Sequence, residues 1–211
     1  MKRGCFVTFE GIDGCGKSTQ AKLFADRFAA EGYQVFRTRE PGGTAIAEKI
    51  RALLIDPAHA EMVDECELLL YLAARAQHLR EKILPAVASG TVVVCDRFQD
   101  ATFAYQGYGR GMSLDLLQSL NTFATGGNDP DLTFIIDLPV ETAFERMAAM
   151  SKVHDRLEAG GEPFFSRIRE GYLALAAAAP QRIQVIDGTA PVEKIAEQVY
   201  TSALQQGYFG N

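Results

Sequence analysis

The chain has 211 residues, of which 47% are apolar and 23% charged, with a formal net charge of −6. This length suits one hydrophobic core, and the composition is that of an ordinary globular chain rather than a disordered or fibrous one. The negative balance argues against a surface that wraps nucleic acid, and no window is apolar for long enough to span a membrane. Cys5, Cys15, Cys66 and Cys95 are scattered, with neither disulfide-framework nor metal-site spacing, so they are expected to be reduced thiols. MKRG is basic, but the apolar run after it is too short for a secretory signal. The expectation is one domain over residues 1–211, located in the cytoplasm.

In chain order, the first β-rich run is CFVTFE, and it leads into EGIDGCGKSTQ. Gly11, Ile12, Asp13, Gly14, Cys15, Gly16, Lys17 and Ser18 fit G-x-x-x-x-G-K-[ST], and Thr19 follows in a helical pattern. Glycines let backbone N–H groups turn inward around phosphate oxygens, and the helix start adds its positive dipole end. Lys17 is placed to reach the β- and γ-phosphates of a nucleoside triphosphate, and the Ser18 hydroxyl to hold Mg²⁺. Ala21, Phe24, Ala25 and Phe28 form one helical stripe, closed by Gly32. YQVFRT is the second strand, ending near Arg39, and Glu40-Pro41-Gly42-Gly43 makes a tight turn in which the X-Pro bond is a candidate for cis. Arg51 lies one short helix later.

From Asp64 to Ala88 the spacing predicts a long helix with Leu68, Leu72, Ala76, Leu79 and Ile83 on one face. Tyr71, Arg75, His78 and Lys82 share the opposite face, where a ring can support a flat base beside a guanidinium donor. TVVVCDRF is a strand ending in Asp96, well placed to organise Mg²⁺ next to Ser18. ATPase motors usually follow that acid with a second carboxylate; here Arg97 follows, a residue suited to an acceptor phosphate. No Asn-Lys-x-Asp guanine reader is present. YQGYGRGMS, with its glycines and tyrosines, breaks the strand–helix pattern. LTFIID and RIQVID are the last two strands, separated by the polar segment SKVHDRLEAGGEP and the alanine-rich helix that ends at Pro180. The alternation predicts a doubly wound α/β domain with its chemistry in the loops beyond the strands' carboxyl ends.

Together FEGIDGCGKST, TREPGGT, YLAARAQH, CDRFQDATFAYQGYGRG, NDPDLTFIIDLP and DRLE resemble the bacterial thymidylate kinase family of P-loop nucleoside monophosphate kinases, over Phe6 to about Tyr200. The resemblance implies a P-loop NTPase fold, a five-stranded parallel sheet with helices on both faces, and a short lid at about 149–161. It implies transfer of the ATP γ-phosphoryl to dTMP with Mg²⁺, by a homodimer. Asp13 would lie between the nucleotides and bind the acceptor's 3′-hydroxyl. Arg39 and Arg97 would hold the acceptor phosphate, with Pro41 and Arg51 close by. Tyr71 would support thymine, with Arg75 and Gln106 bonded to its edge and Thr102 near it. Tyr105 would pack where a 2′-hydroxyl would protrude, and Arg146 would lie near adenine. The lid cation would be Lys152 or Arg156, because this lid lacks the arginine-rich run and the loop carries Gly14 where some members have arginine. The competing readings are a kinase for another nucleoside monophosphate or a deoxynucleoside, and a nucleotide-dependent switch without transfer.

Overall fold

In the computed structural model, which describes residues 4–149 and 161–209, the five apolar runs are strands. They are β1 (Phe6–Glu10), β2 (Val35–Arg39), β3 (Val92–Asp96), β4 (Leu132–Asp137) and β5 (Ile183–Asp187). All pair in parallel, in the order β2-β3-β1-β4-β5. The side chains of the central strands alternate between two buried clusters. Val7, Phe9, Val92 and Val94 join α1 (Lys17–Ala30) through Phe24 and Phe28. Phe6, Val93 and Cys95 turn the other way, onto Leu79, Ile83 and Val87. Burial on both faces explains why these strands read as continuous rather than alternating hydrophobic runs.

The long helix runs as expected from Asp64, but it is not uniform. α3 (Asp64–His78) passes into wider π turns over Leu79–Ile83 and then α4 (Leu84–Ala88). Leu68 and Leu72 pack with Leu117 and Ala124 of α6 (Leu114–Thr125), whereas Leu79 and Ile83 reach the sheet. The wider turns shift the helical phase. The expected polar face is corrected as well: Lys82 is on the surface, while Arg75 and His78, which precede the wide turns, are fully buried.

A second correction concerns YQGYGRGMS. Its first half does not break away as a loop; α5 (Gln99–Thr102) continues as buried π turns over Phe103–Gly109. Glycines that suggested a loop instead allow contact with α8 (Gly161–Ala178). A Cβ on Gly171 would lie 2.7 Å from the Tyr108 ring, and one on Gly109 2.7 Å from the Phe164 ring. The remaining α-helices among the described residues are α2 (Ala45–Ile55), α7 (Val140–Ala149) and α9 (Val192–Gln205). No helix among the described residues is long and apolar enough to cross a membrane.

Candidate active site

Glu10, Arg39 and Asp96 end three adjacent strands, and the register sets Asp96 opposite both Phe9 and Arg39. The glycine loop leaves β1 at this edge. Gly11, Gly14 and Gly16 all have positive φ, while the Ile12 and Cys15 side chains are buried in the core. The loop therefore offers its backbone to a ligand, and burial pushes the Cys15 thiol up from its ordinary value, away from reactivity. At Gly14, with φ 81°, a Cβ would lie 2.5 Å from the Ala143 carbonyl oxygen of α7, so no side chain fits without moving that helix. α1 begins with Gly16 at its N-cap, no side-chain cap and no acid in its first turn. Neither an N-cap side chain nor a first-turn acid competes for its first N–H groups, which suits this terminus to an anion. Thr19, in contrast, points to solvent.

One cavity beyond this edge is lined by Asp13, Lys17, Ser18, Arg39, Pro41, Arg51, Tyr71, Arg75, Asp96, Arg97, Thr102, Tyr105 and Gln106. Residues from the loop, β2, α2, α3, β3 and α5 thus meet on one wall. The Glu40-Pro41 bond is cis, and the Pro41 carbonyl accepts a 3.0 Å bond from Arg51 Nη1. Arg146 is elsewhere: its Nη2 donates to the Gly188 carbonyl at 3.2 Å, just past β5. Lys152 and Arg156, with most of the expected lid, lie outside the described residues.

Arg97 is the hub. It is a non-glycine residue at φ 69°, its N–H bonded to the Phe9 carbonyl at 2.9 Å. Its guanidinium donates to Asp13 Oδ1 at 2.7 Å, to the Tyr105 hydroxyl at 2.9 Å, and to the Gly11 carbonyl and Tyr172 hydroxyl at 3.2 Å each. Asp13 also accepts from Lys17 Nζ at 3.2 Å and from the Tyr105 hydroxyl at 2.9 Å. Burial would raise the Asp13 carboxyl, but Arg97 and then Lys17 outweigh it and hold it well below the usual carboxylate range. Arg39 is a more exposed fork, bonded through both Nη atoms to Glu48 at 2.9 and 3.1 Å. Ser18 and Asp96 supply a hydroxyl and a carboxylate to the same cavity. These hard oxygen donors suit Mg²⁺, which binds through one or two protein oxygens and keeps several waters.

Several carboxylates that hold this site were not singled out from sequence. Glu10 is fully buried; Oε1 accepts the Phe98 N–H at 2.6 Å and Oε2 the Tyr172 hydroxyl at 2.8 Å. Burial first, and then the Asp100 charge, push its carboxyl up to about 8, against the opposing pull of Arg97. The fold thus binds a proton that the unfolded chain releases near 4.5. That contribution is complete below the unfolded value and is lost as pH rises through the folded one. Urea unfolding from about pH 5 to about pH 8 should therefore show falling stability, and Glu10→Gln should flatten the slope. Parallel slopes for the two proteins would mean that Glu10 is ionised in the fold.

Glu40 is a second such residue. Its carboxylate meets Arg75 Nε at 2.8 Å and His78 Nδ1 at 3.1 Å, and His78 Nε2 bonds the Thr38 hydroxyl at 2.7 Å. Arg75 further donates to the Thr102 hydroxyl, the Asn121 side-chain oxygen and the Phe98 carbonyl at 2.8 to 3.0 Å. The Arg75 plane at the cavity wall is thus locked. A charged residue next to an apolar strand, as in TFEG or TREP, was the available signal, since a buried charge needs partners.

Comparison with known proteins adds an independent line. A family model described as thymidylate kinase matches residues 9–199. A thymidylate kinase of Pelotomaculum thermopropionicum is 46% identical over 210 residues, covering 96% of this chain and 97% of its own. One from Geobacter sulfurreducens is 49% identical, covering 93% and 94%, and one from Ectopseudomonas mendocina 51%, covering 87% of each.

Proposed function

The chain belongs to the thymidylate kinase family and is an ATP:dTMP phosphotransferase; from that premise we propose how its residues divide the transfer of the ATP γ-phosphoryl to dTMP. The observation that carries the reading is the shared cavity, which sets the Gly11–Ser18 loop against Arg39 and Arg97. ATP binds with its phosphates in the loop, on backbone N–H groups from Gly11 to Thr19 and on Lys17, with Arg146 toward the adenine side. Mg²⁺ would be held by Ser18 and Asp96, and it would draw charge from the β- and γ-phosphate oxygens.

dTMP lies opposite. Tyr71 supports its base, Arg75 and Gln106 meet the base edge beside Thr102, and Tyr105 and Asp13 face the sugar. Its phosphate competes with Asp13 for Arg97 and with Glu48 for Arg39, while Pro41 and Arg51 close that end. Forked guanidinium groups suit this task because they bind phosphate through paired N–H groups. Transfer then needs alignment and charge neutralisation more than covalent work from the protein. No general base is required, since a phosphate monoester is already ionised near neutral pH, so Asp13 only orients. Lys152 or Arg156 completes the charge on closure of the 149–161 lid.

The working unit in this reading is the whole chain as one kinase domain in the cytoplasm, where its four free thiols stay reduced. It is a homodimer, supported by exposed apolar residues on adjacent helices: Leu69 of α3 is 58% and Phe123 of α6 85% accessible. Sedimentation as a two-chain species is expected; a single-chain species at micromolar concentration would contradict it. The substrate assignment is tested with ATP·Mg²⁺ and a panel of dTMP, dUMP, dCMP and dGMP. dTMP should have the highest kcat/KM. A clear preference for another monophosphate, or for an unphosphorylated deoxynucleoside, would replace the assignment.

A further inference from the structure

Glu67 stands one helical turn before Tyr71 on α3, and its side chain is fully buried. Oε1 accepts from Gln106 Nε2 at 2.8 Å, and Oε2 accepts from Arg110 Nη2 at 2.9 Å. Arg110 Nε also approaches Oε1, at 3.4 Å, and Arg110 is paired in addition with Asp64. A guanidinium can only donate and a carboxylate can only accept, whereas an amide has one end of each kind. The direction of every bond in this cluster is therefore fixed by chemistry. Gln106 is itself 2% exposed and lines the cavity. Its NH₂ end is taken by Glu67, so the carbonyl oxygen is the end of the amide left to serve the cavity.

We propose that Glu67 is a specificity-determining positioning residue: by orienting the Gln106 amide, it gives the base site an acceptor and so selects pyrimidines that carry N3–H. Thymine and uracil have that proton. Cytosine has a lone pair at N3, which would face the Gln106 oxygen with no proton between them. A site built to receive a hydrogen bond rejects a ligand that cannot make it far more strongly than a merely apolar pocket rejects a misfit. The inference rests on the proposed placement of the base beside Tyr71, Arg75 and Gln106.

Glu67→Gln tests it, because Arg110 forces the outcome. The new amide must turn its oxygen to the guanidinium and its NH₂ to Gln106. Gln106 then inverts and shows N–H groups to the cavity. The kcat/KM for dTMP should fall about 10- to 100-fold, the value for dCMP should fall less or rise, and the ratio should narrow by at least about tenfold. The KM for ATP should not move. Glu67→Asp, still acceptor-only, should keep the ratio even where efficiency drops. Equal losses on dTMP and dCMP in Glu67→Gln would make Glu67 merely structural and overturn the proposal.

If Glu67→Gln does not give a cooperative melt, the wild-type enzyme decides by NMR. The Gln106 side-chain NH₂ signals, assigned by their loss in Gln106→Met, should be protected from solvent exchange by the bond to Glu67. Rapid exchange would overturn the proposal. A wild-type enzyme that phosphorylates another monophosphate instead of dTMP would refute the functional reading, while the NMR measurement would still report on the amide.

Discussion

Arg97→Ala is expected to lower kcat for dTMP phosphorylation by about 10²- to 10³-fold, as for one preorganised charge-stabilising donor removed from a buried site. ATP affinity should stay within about threefold, since the loop amides and Lys17 are untouched. The expectation follows from placement. The backbone at φ 69° and the bonds to Asp13, Tyr105, Tyr172 and Gly11 hold one guanidinium at the junction of the loop and the acceptor side. Alanine removes the cation and leaves the Asp13 carboxylate facing a phosphate. Asp13 keeps Lys17 and the Tyr105 hydroxyl, and its side chain is 26% exposed, so the variant should still fold. Arg97→Lys should recover only part of the rate, because a point charge cannot reproduce the fork. Parallel losses of turnover, ATP binding and thermal stability in Arg97→Ala would reduce the residue to a structural one.

Lys17→Met should cost about 10²- to 10³-fold in kcat, as expected for one preorganised donor removed from a buried, charge-stabilising site. Methionine keeps the apolar stem and removes the charge. Lys17 is 6% exposed, with Nζ 3.2 Å from both the Ile12 carbonyl and Asp13 Oδ1. The ammonium is thus held over the loop without rotamer freedom to lose. Its loss should weaken ATP binding as well, which separates it from Arg97→Ala, where the deficit lies on the acceptor side. Isothermal titration with ATP and with dTMP resolves the two patterns. Unchanged ATP affinity in Lys17→Met, with a turnover loss below about tenfold, would contradict a phosphate role.

The glycine loop was legible because its chemistry is contiguous: the residues from Gly11 to Ser18 need no distant partner to be read. The strands were legible because sheets covered on both faces leave continuous apolar runs. The placement of Arg39, Asp96 and Arg97 at one edge followed from both, since strand ends share one edge once the sheet is parallel. What stayed hidden depends on pairings across the chain. Glu10 and Tyr172 are 162 positions apart, and Glu67 and Arg110 are 43 apart. Nothing local distinguishes the buried Glu67 of α3 from its exposed neighbour Glu65. The π turns were equally silent: the wide turns at Leu79–Ile83 sit inside what reads as one regular helix, and at Phe103–Gly109 a glycine-rich stretch that reads as a loop is buried helix.

Transfer requires the ATP triphosphate and the single phosphate of dTMP to meet end to end, one on main-chain amides and the other on guanidinium groups. Incubation with γ-labelled ATP, Mg²⁺ and dTMP, followed by separation of the products, tests it directly. Label should pass to dTDP in step with ADP formation, with little released as inorganic phosphate. Label that appears as inorganic phosphate at the same rate with or without dTMP would show water to be the acceptor, and the arrangement described for Arg39 and Arg97 would have no second nucleotide to hold.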